Sequence, residues 1–210
     1  LTRCSSRTSR AVGRALILAL AAGLTGLACL AAAGRSAAPA NNPELAVRQF
    51  ADGYGRYSAG RVLRLFEKDA VINLVGLGVA ARGRREIDGL LEYARAAGAE
   101  LALSGLERRG DTVSCRLRET NNWLRALALD SIAHDARFIF TGSRIARADI
   151  RLLPASRSEL GRAGLGFGRW VRDNDPAAIE QVLPGGRPDL SADNARLLLE
   201  LIARWRAAQR

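Results

Sequence analysis

Six side chains in this sequence could carry chemistry, and Glu119 leads them. It lies in Thr112–Trp123, where Val113, Cys115, Leu117, Glu119, Asn121 and Trp123 form one alternating set. The other set, Thr112, Ser114, Arg116, Arg118, Thr120 and Asn122, is polar throughout and reads as the solvent face of a strand. A carboxyl facing an apolar interior loses hydration of its charged form unless a cation or donors compensate. A general acid or base exploits that condition. The competing reading is a rim glutamate paired with Arg118 or Arg137. Asp149, in a later strand, is a second acid–base candidate and could instead face Arg137 or Arg147. Asn73, between Ile72 and Leu74, is either a pocket hydrogen-bond donor or a turn-former serving nearby backbone. Tyr54, Asn122 and Trp123 complete the ligand-binding candidates, with a bulge near Asn121-Asn122 deciding which amide enters a pocket.

The remaining chemistry is sparse. His134 is the single histidine and falls in an expected loop, Asp130–Asp135. One histidine and two loop acids are too few for a zinc or iron site, so neither metal nor cofactor is expected. No phosphate-binding loop, dinucleotide fingerprint, HExxH, GxSxG or EF-hand pattern occurs. Cys115 reads as a small buried hydrophobe.

These residues need elements to hold them. Asn42-Pro43-Glu44 is a helix start, with a capping side chain, proline at N1 and an acid in the first turn. Val47, Phe50, Tyr54 and Tyr57 then share one face. A shorter helix is expected over Val62–Phe66, short strands over Ala70–Gly76 and Gly78–Ala81, and a helix over Arg84–Ala97 closed by Gly98. From Glu100 the period becomes 2, giving strands Glu100–Leu106, Thr112–Trp123, Ala136–Thr141 and Ile145–Leu153. The order predicts an α+β domain with helices on one face of a curved antiparallel sheet. Helices follow over Ser158–Val171, from Asp175-Pro176, and after Ser191. Trp170 and Trp205 there, with Trp123, are expected to seal the contact to the sheet.

Residues 1–40 are read apart from the fold. They carry five arginines and no acid, then the apolar run Ala15–Gly34, then small residues to Ala40. This is the pattern of an export signal, and it points to a periplasmic or extracellular location. Three fates stay open: cleavage near Ala40, retention as a membrane anchor, and lipidation at Cys29. The domain reading is therefore leader 1–40, sheet domain 41–157 and helical extension 158–210. The whole chain has 32 basic and 21 acidic residues in 210, and without the leader 27 against 21, a net of +6. That excess is dispersed, almost all arginine, and lacks the clustered footprint of a nucleic-acid binder. Apolar residues at 48% and charged at 25% are ordinary for a globular chain.

Phe50–Ala59 (FADGYGRYSA), Leu65–Val71 (LFEKDAV), Gly83–Ile87 (GRREI) and Phe138–Ile145 (FIFTGSRI) resemble, in order, motifs of the NTF2-like superfamily. The SnoaL-like and ketosteroid-isomerase-like members are the nearest in pattern, over residues 44–153. The resemblance implies a cone-shaped domain with one pocket between helices and sheet. It also implies that the isomerases' base falls on Asn73 and their tyrosine on Gly53. The epoxide hydrolases' arginine and first aspartate fall on Thr120 and Asn122, so neither mechanism transfers directly. The expected function is binding of a small apolar molecule or a partner peptide, with weak catalysis or none. The alternatives are a hydrolase, isomerase or cyclase using Glu119 or Asp149, and a structural module with a filled interior. An open apolar cavity holding Glu119 would favour the enzyme. A homodimer and membrane attachment through the leader are left open as partners.

Overall fold

The computed structural model describes residues 42–55 and 59–210. The leader and Tyr57 lie outside the described residues. No helix among those described is long and apolar enough to cross a membrane.

Helix α1 (Pro43–Gly55) begins as its sequence dictates: the Asn42 side chain accepts the Leu45 N–H at 2.9 Å. Its buried face carries Val47 and Phe50, and the Phe50 ring meets Phe66, Phe138 and Tyr54 at 5.9, 5.3 and 5.8 Å. Helix α2 (Ala59–Leu63) is earlier than expected, and Phe66 opens strand β1 (Phe66–Val75) instead of ending a helix. The two helices touch where a Cβ on Gly53 would stand 2.5 Å from Val62 Cγ2, so only glycine fits that crossing. Strand β2 (Val79–Arg82) folds back on β1, and helix α3 (Gly83–Ala96) follows, burying Ile87, Leu90, Leu91 and Ala94. Gly98 stops α3 at φ +61°, with Ala99 N–H bonding Ala94 C=O and Gly98 N–H bonding Arg95 C=O, the pair of contacts that closes a helix end.

Strands β3 (Glu100–Arg109), β4 (Thr112–Thr120), β5 (Ile132–Thr141) and β6 (Arg144–Leu152) complete one six-stranded sheet. Helix α4 (Asn122–Ala126) interrupts β4 and β5. The strand order is β2-β1-β6-β5-β4-β3.

The sheet corrects the expected cone of antiparallel strands. It is open, since β2 and β3 are its two edges and do not meet, and it is mixed, since β1 runs parallel to β6. The reason is α3, which carries the chain from one edge to the other. Its 14 residues rise about 20 Å, close to the roughly 24 Å that separates the outer strands of a six-stranded sheet. The two edge strands are thus joined through a packed helix and not through a strand pairing. A register shift between Ser104 and Glu107, with Gly105 at φ +61°, further distorts the β3 edge.

Two hydrophobic clusters result. The first lies between α1–α3 and the sheet and contains Val47, Phe50, Phe66, Ile72, Ile87, Val113, Leu117 and Phe138. The second gathers Trp123, Leu124, Ile132 and Leu152 with the final helices. These are α5 (Pro154–Asn174), α6 (Pro176–Val182) and α7 (Ala192–Ala207), the last capped by Ser191 Oγ on Asn194 N–H at 3.2 Å. Helix α5 starts four residues before the expected Ser158, and α7 packs on α3 and α4.

Trp123, Ile132 and Leu152 thus depend on the last helices for burial. Each large apolar side chain buried contributes roughly 1.5–3 kcal/mol, and a whole domain has about 5–15 kcal/mol to lose. A chain ending at Leu153 should lose the cooperative thermal transition of the full chain or aggregate. A melt within a few degrees of the full chain would show the last helices to be dispensable.

Candidate functional site

Between α1, α3 and the sheet lies a chamber of about 140 Å³, measured as room for the centres of water-sized spheres. An apolar cavity of about 150 Å³ accepts a benzene-sized molecule, so this one has ligand scale. Its walls are mainly aliphatic, from Ile72 and Leu74 of β1, Leu101 of β3, Leu117 of β4 and Ile150 of β6. The polar groups on its wall are Tyr54, Tyr93, Glu119, Trp123 and His134.

Strand alternation puts Glu119 there. Val113, Cys115 and Leu117 are buried on the same face, and Glu119 is the last inward residue before the strand ends. The strand ends at Thr120, and the next residue, Asn121, is fully buried and does two things. Its Oδ1 accepts the Leu124 N–H at 2.8 Å, starting α4, and its Nδ2 donates to Glu119 Oε1 at 2.9 Å. The other carboxylate oxygen, Oε2, lies 3.2 Å from His134 Nε2 with the two side chains only 18% and 13% exposed. The contact is at ion-pair distance but not aligned as a hydrogen bond, and Nε2 has no hydrogen-bond acceptor. Glu119 therefore pairs with an imidazole and an amide, and neither Arg118 nor Arg137 is its partner.

His134 belongs to β5, not to the loop expected over Asp130–Asp135. It stands opposite the inward Leu117 in the ladder, which turns it into the chamber. The sequence signal was the alternation Ile132, His134, Ala136, Phe138, Phe140, which runs two steps further back than the strand drawn from Ala136. Tyr93 was missed in the same way, three residues after Leu90 on α3. Burial pushes its hydroxyl pKa up strongly, and the Glu119 charge adds to that, while the Trp123 side chain opposes it as a loose donor.

The other sequence candidates separate. Tyr54 and Trp123 line the chamber, Trp123 from α4 and not from a continued β4. Asn73 and Asp149 are ladder partners whose neighbours Ile72, Leu74 and Ile150 line it, so both lie on the opposite face of the sheet. There Asn73 Nδ2 donates to Asp149 Oδ1 at 2.7 Å, and Arg147 Nε meets the same carboxylate at 2.8 Å. Asn122 is exposed, seated over Gly98, its N–H on Ala97 C=O at 2.8 Å. Among the described residues no group of three or more His, Cys, Asp or Glu side chains could hold a metal ion.

A second chamber, about 90 Å³ by the same measure, opens among α5, α6 and α7. It shares Tyr93, Trp123, Leu160, Pro188 and Leu190 with the first.

No protein-family model matches the chain, and no curated protein matches its sequence. Its fold is distantly similar to solved NTF2-like and polyketide-cyclase structures. The epoxide hydrolase/cyclase-like enzyme SalBIII, which acts in pyran ring formation in salinomycin, is 16% identical at TM-score 0.47, over 54% of this chain and 92% of that one. A provisionally assigned polyketide cyclase from Sinorhizobium meliloti is 20% identical at TM-score 0.44, over 50% and 92%. An NTF2-like protein of unknown function from Cytophaga hutchinsonii is 9% identical at TM-score 0.43, over 52% and 88%.

Asn121→Ala should cost about 2–3 kcal/mol in urea unfolding, since it removes a helix cap and strands a buried acceptor. Asn122→Ala should stay within about 0.5 kcal/mol; equal costs would show that Asn121 does not organise the site. Burial, then the Asp135 charge, lifts the Cys115 thiol from 9.0 to about 11. Its neutral form is favoured in the fold, so stability holds below pH 9 and falls as pH rises toward 11. Cys115→Ala should flatten that fall, and an unchanged profile would assign it to other groups.

Proposed function

We propose that the sheet-side chamber binds a small, mostly apolar molecule and sets a polar group of it against Glu119 and His134. The observation that supports this reading most is the chamber itself: aliphatic walls around one carboxylate–imidazole pair, a pattern of apolar enclosure with few convergent polar groups that suits ligand sites. A structural module with a filled interior fits it less well.

A second reading is favoured by one specific observation. Glu119 stands at the wall of an open cavity with His134 Nε2 at 3.2 Å. Such a pair can carry a proton on either partner and pass it to or from a bound molecule. That is the acid–base group a hydrolase, isomerase or cyclase needs. Asp149, across the sheet and held by Arg147 and Asn73, fits that role less well. If residues 1–40 export the chain as their pattern suggests, the site works outside the cytoplasm.

Mass spectrometry of an organic extract of the purified protein should find a co-purifying apolar compound. Leu117→Trp, which crowds the chamber, should abolish its retention. With that compound in hand, Glu119→Gln separates the two readings. Retained binding with turnover lowered about 10²-fold or more would favour catalysis. Retained binding with no turnover in either protein would favour the binder.

A further inference from the structure

The second chamber lies where α5 carries glycine in place of larger side chains. Its α5 wall includes Gly161 and Gly164, three residues apart on one face, and Gly164 is buried. A Cβ on either would meet nothing within 4 Å, so the helix gives up side chains where space exists to hold them. Glycine is a poor residue for a helix interior, and nothing in the packing here demands it. A second, independent observation comes from Asn194 on α7, which lines the same chamber and is 8% exposed. Its Nδ2 donates to Val182 and Asp189 carbonyls at 3.0 and 2.7 Å, while its Oδ1 has no partner. Tyr93 and Trp123 stand in the wall common to both chambers.

We infer that the two chambers form one site for a single elongated molecule: a hydroxyl-bearing hydrocarbon chain. Its hydroxyl lies at Glu119 and His134, and its chain runs past Tyr93 and Trp123 into the space beside Gly164. This rests on the sheet-side chamber being a ligand site, and it names the ligand's class. The polar end is a hydroxyl because it must both donate to Glu119 and accept from His134. A fatty acid would instead set its carboxylate against the Glu119 carboxylate, a like-charge contact in a poorly solvated place. Apart from Asn194 Oδ1, which can accept from a second hydroxyl further along the chain, the second chamber is nearly all aliphatic and aromatic, so there the molecule gains affinity chiefly by burying carbon.

Calorimetric titration of the full chain with 1-hexanol, 1-decanol and decanoate tests this. Each methylene buried tightens binding about fourfold, so 1-decanol should bind far more tightly than 1-hexanol, and decanoate at least about tenfold more weakly than 1-decanol. Gly164→Leu should fill the second chamber, removing the advantage of 1-decanol while leaving 1-hexanol unchanged. Gly164→Ala, which adds one methyl group to empty space and preserves the fold, should reduce that advantage by roughly one methylene, about fourfold. If 1-hexanol binds but 1-decanol binds no more tightly, or if Gly164→Leu binds 1-decanol as the unaltered chain does, the second chamber is not a subsite. The sheet-side pocket would still stand. Decanoate binding as tightly as 1-decanol would overturn the hydroxyl assignment. Failure of both alcohols to bind would overturn the pocket and this inference together.

Discussion

A single buried amide organises the ligand side of this protein. Asn121 has no contact with water, yet both halves of its side chain are used: one holds Glu119 and the other starts α4. A buried polar group left unpaired would cost more than a typical hydrogen bond returns. The chain must therefore end β4 where it does and turn at once into a helix. That turn brings Trp123 into the wall common to two chambers and leaves Glu119 as the last inward side chain of its strand. Slip the register of β4 by one residue and the carboxylate faces solvent, because strand side chains alternate.

The signals that read truly from sequence were local ones. Asn42 and Ser191 cap helices because an oxygen at that spacing reaches a backbone N–H whatever lies further off. Gly98 ends α3 for a similarly local reason. Glu119 was placed inward by the alternation of its own strand. Where the reading strayed, the deciding contact was distant in sequence or hidden by a coincidence of spacing. The alternation of Thr112–Trp123 runs on through Asn121 and Trp123, so a strand that stops at Thr120 looks as though it continues. His134 looked like a loop residue because its partner Leu117 lies in another strand. Asn73 was weighed as a pocket group because its own neighbours are apolar. Its true partner, Asp149, sits 76 residues away on the other face.

The open sheet was the least legible feature. Nothing in either strand announces that β1 and β6 run parallel, since parallel pairing is settled by where the intervening chain returns. The chain crosses from β2 to β3 through α3 and comes back beside β1 only with β6, and the crossing helix also supplies Tyr93 to both chambers. Architecture and site are thus joined through one element. Burial of Tyr93 next to the Glu119 charge keeps its hydroxyl protonated, which preserves a neutral donor in the wall between the chambers.

An open sheet has rims, and a rim of unpaired peptide groups can template the strands of a neighbouring molecule. Here one rim, β2, is only four residues long. The other, β3, is bent at Gly105 and its far end carries Glu107, Arg108 and Arg109, all exposed. A second chain approaching that rim would meet a broken register and a knot of charge in place of a straight ladder. The distortion that looks like a defect of the strand is therefore also an obstacle to edge-to-edge pairing, of the kind that bulges and charges place on exposed sheet edges.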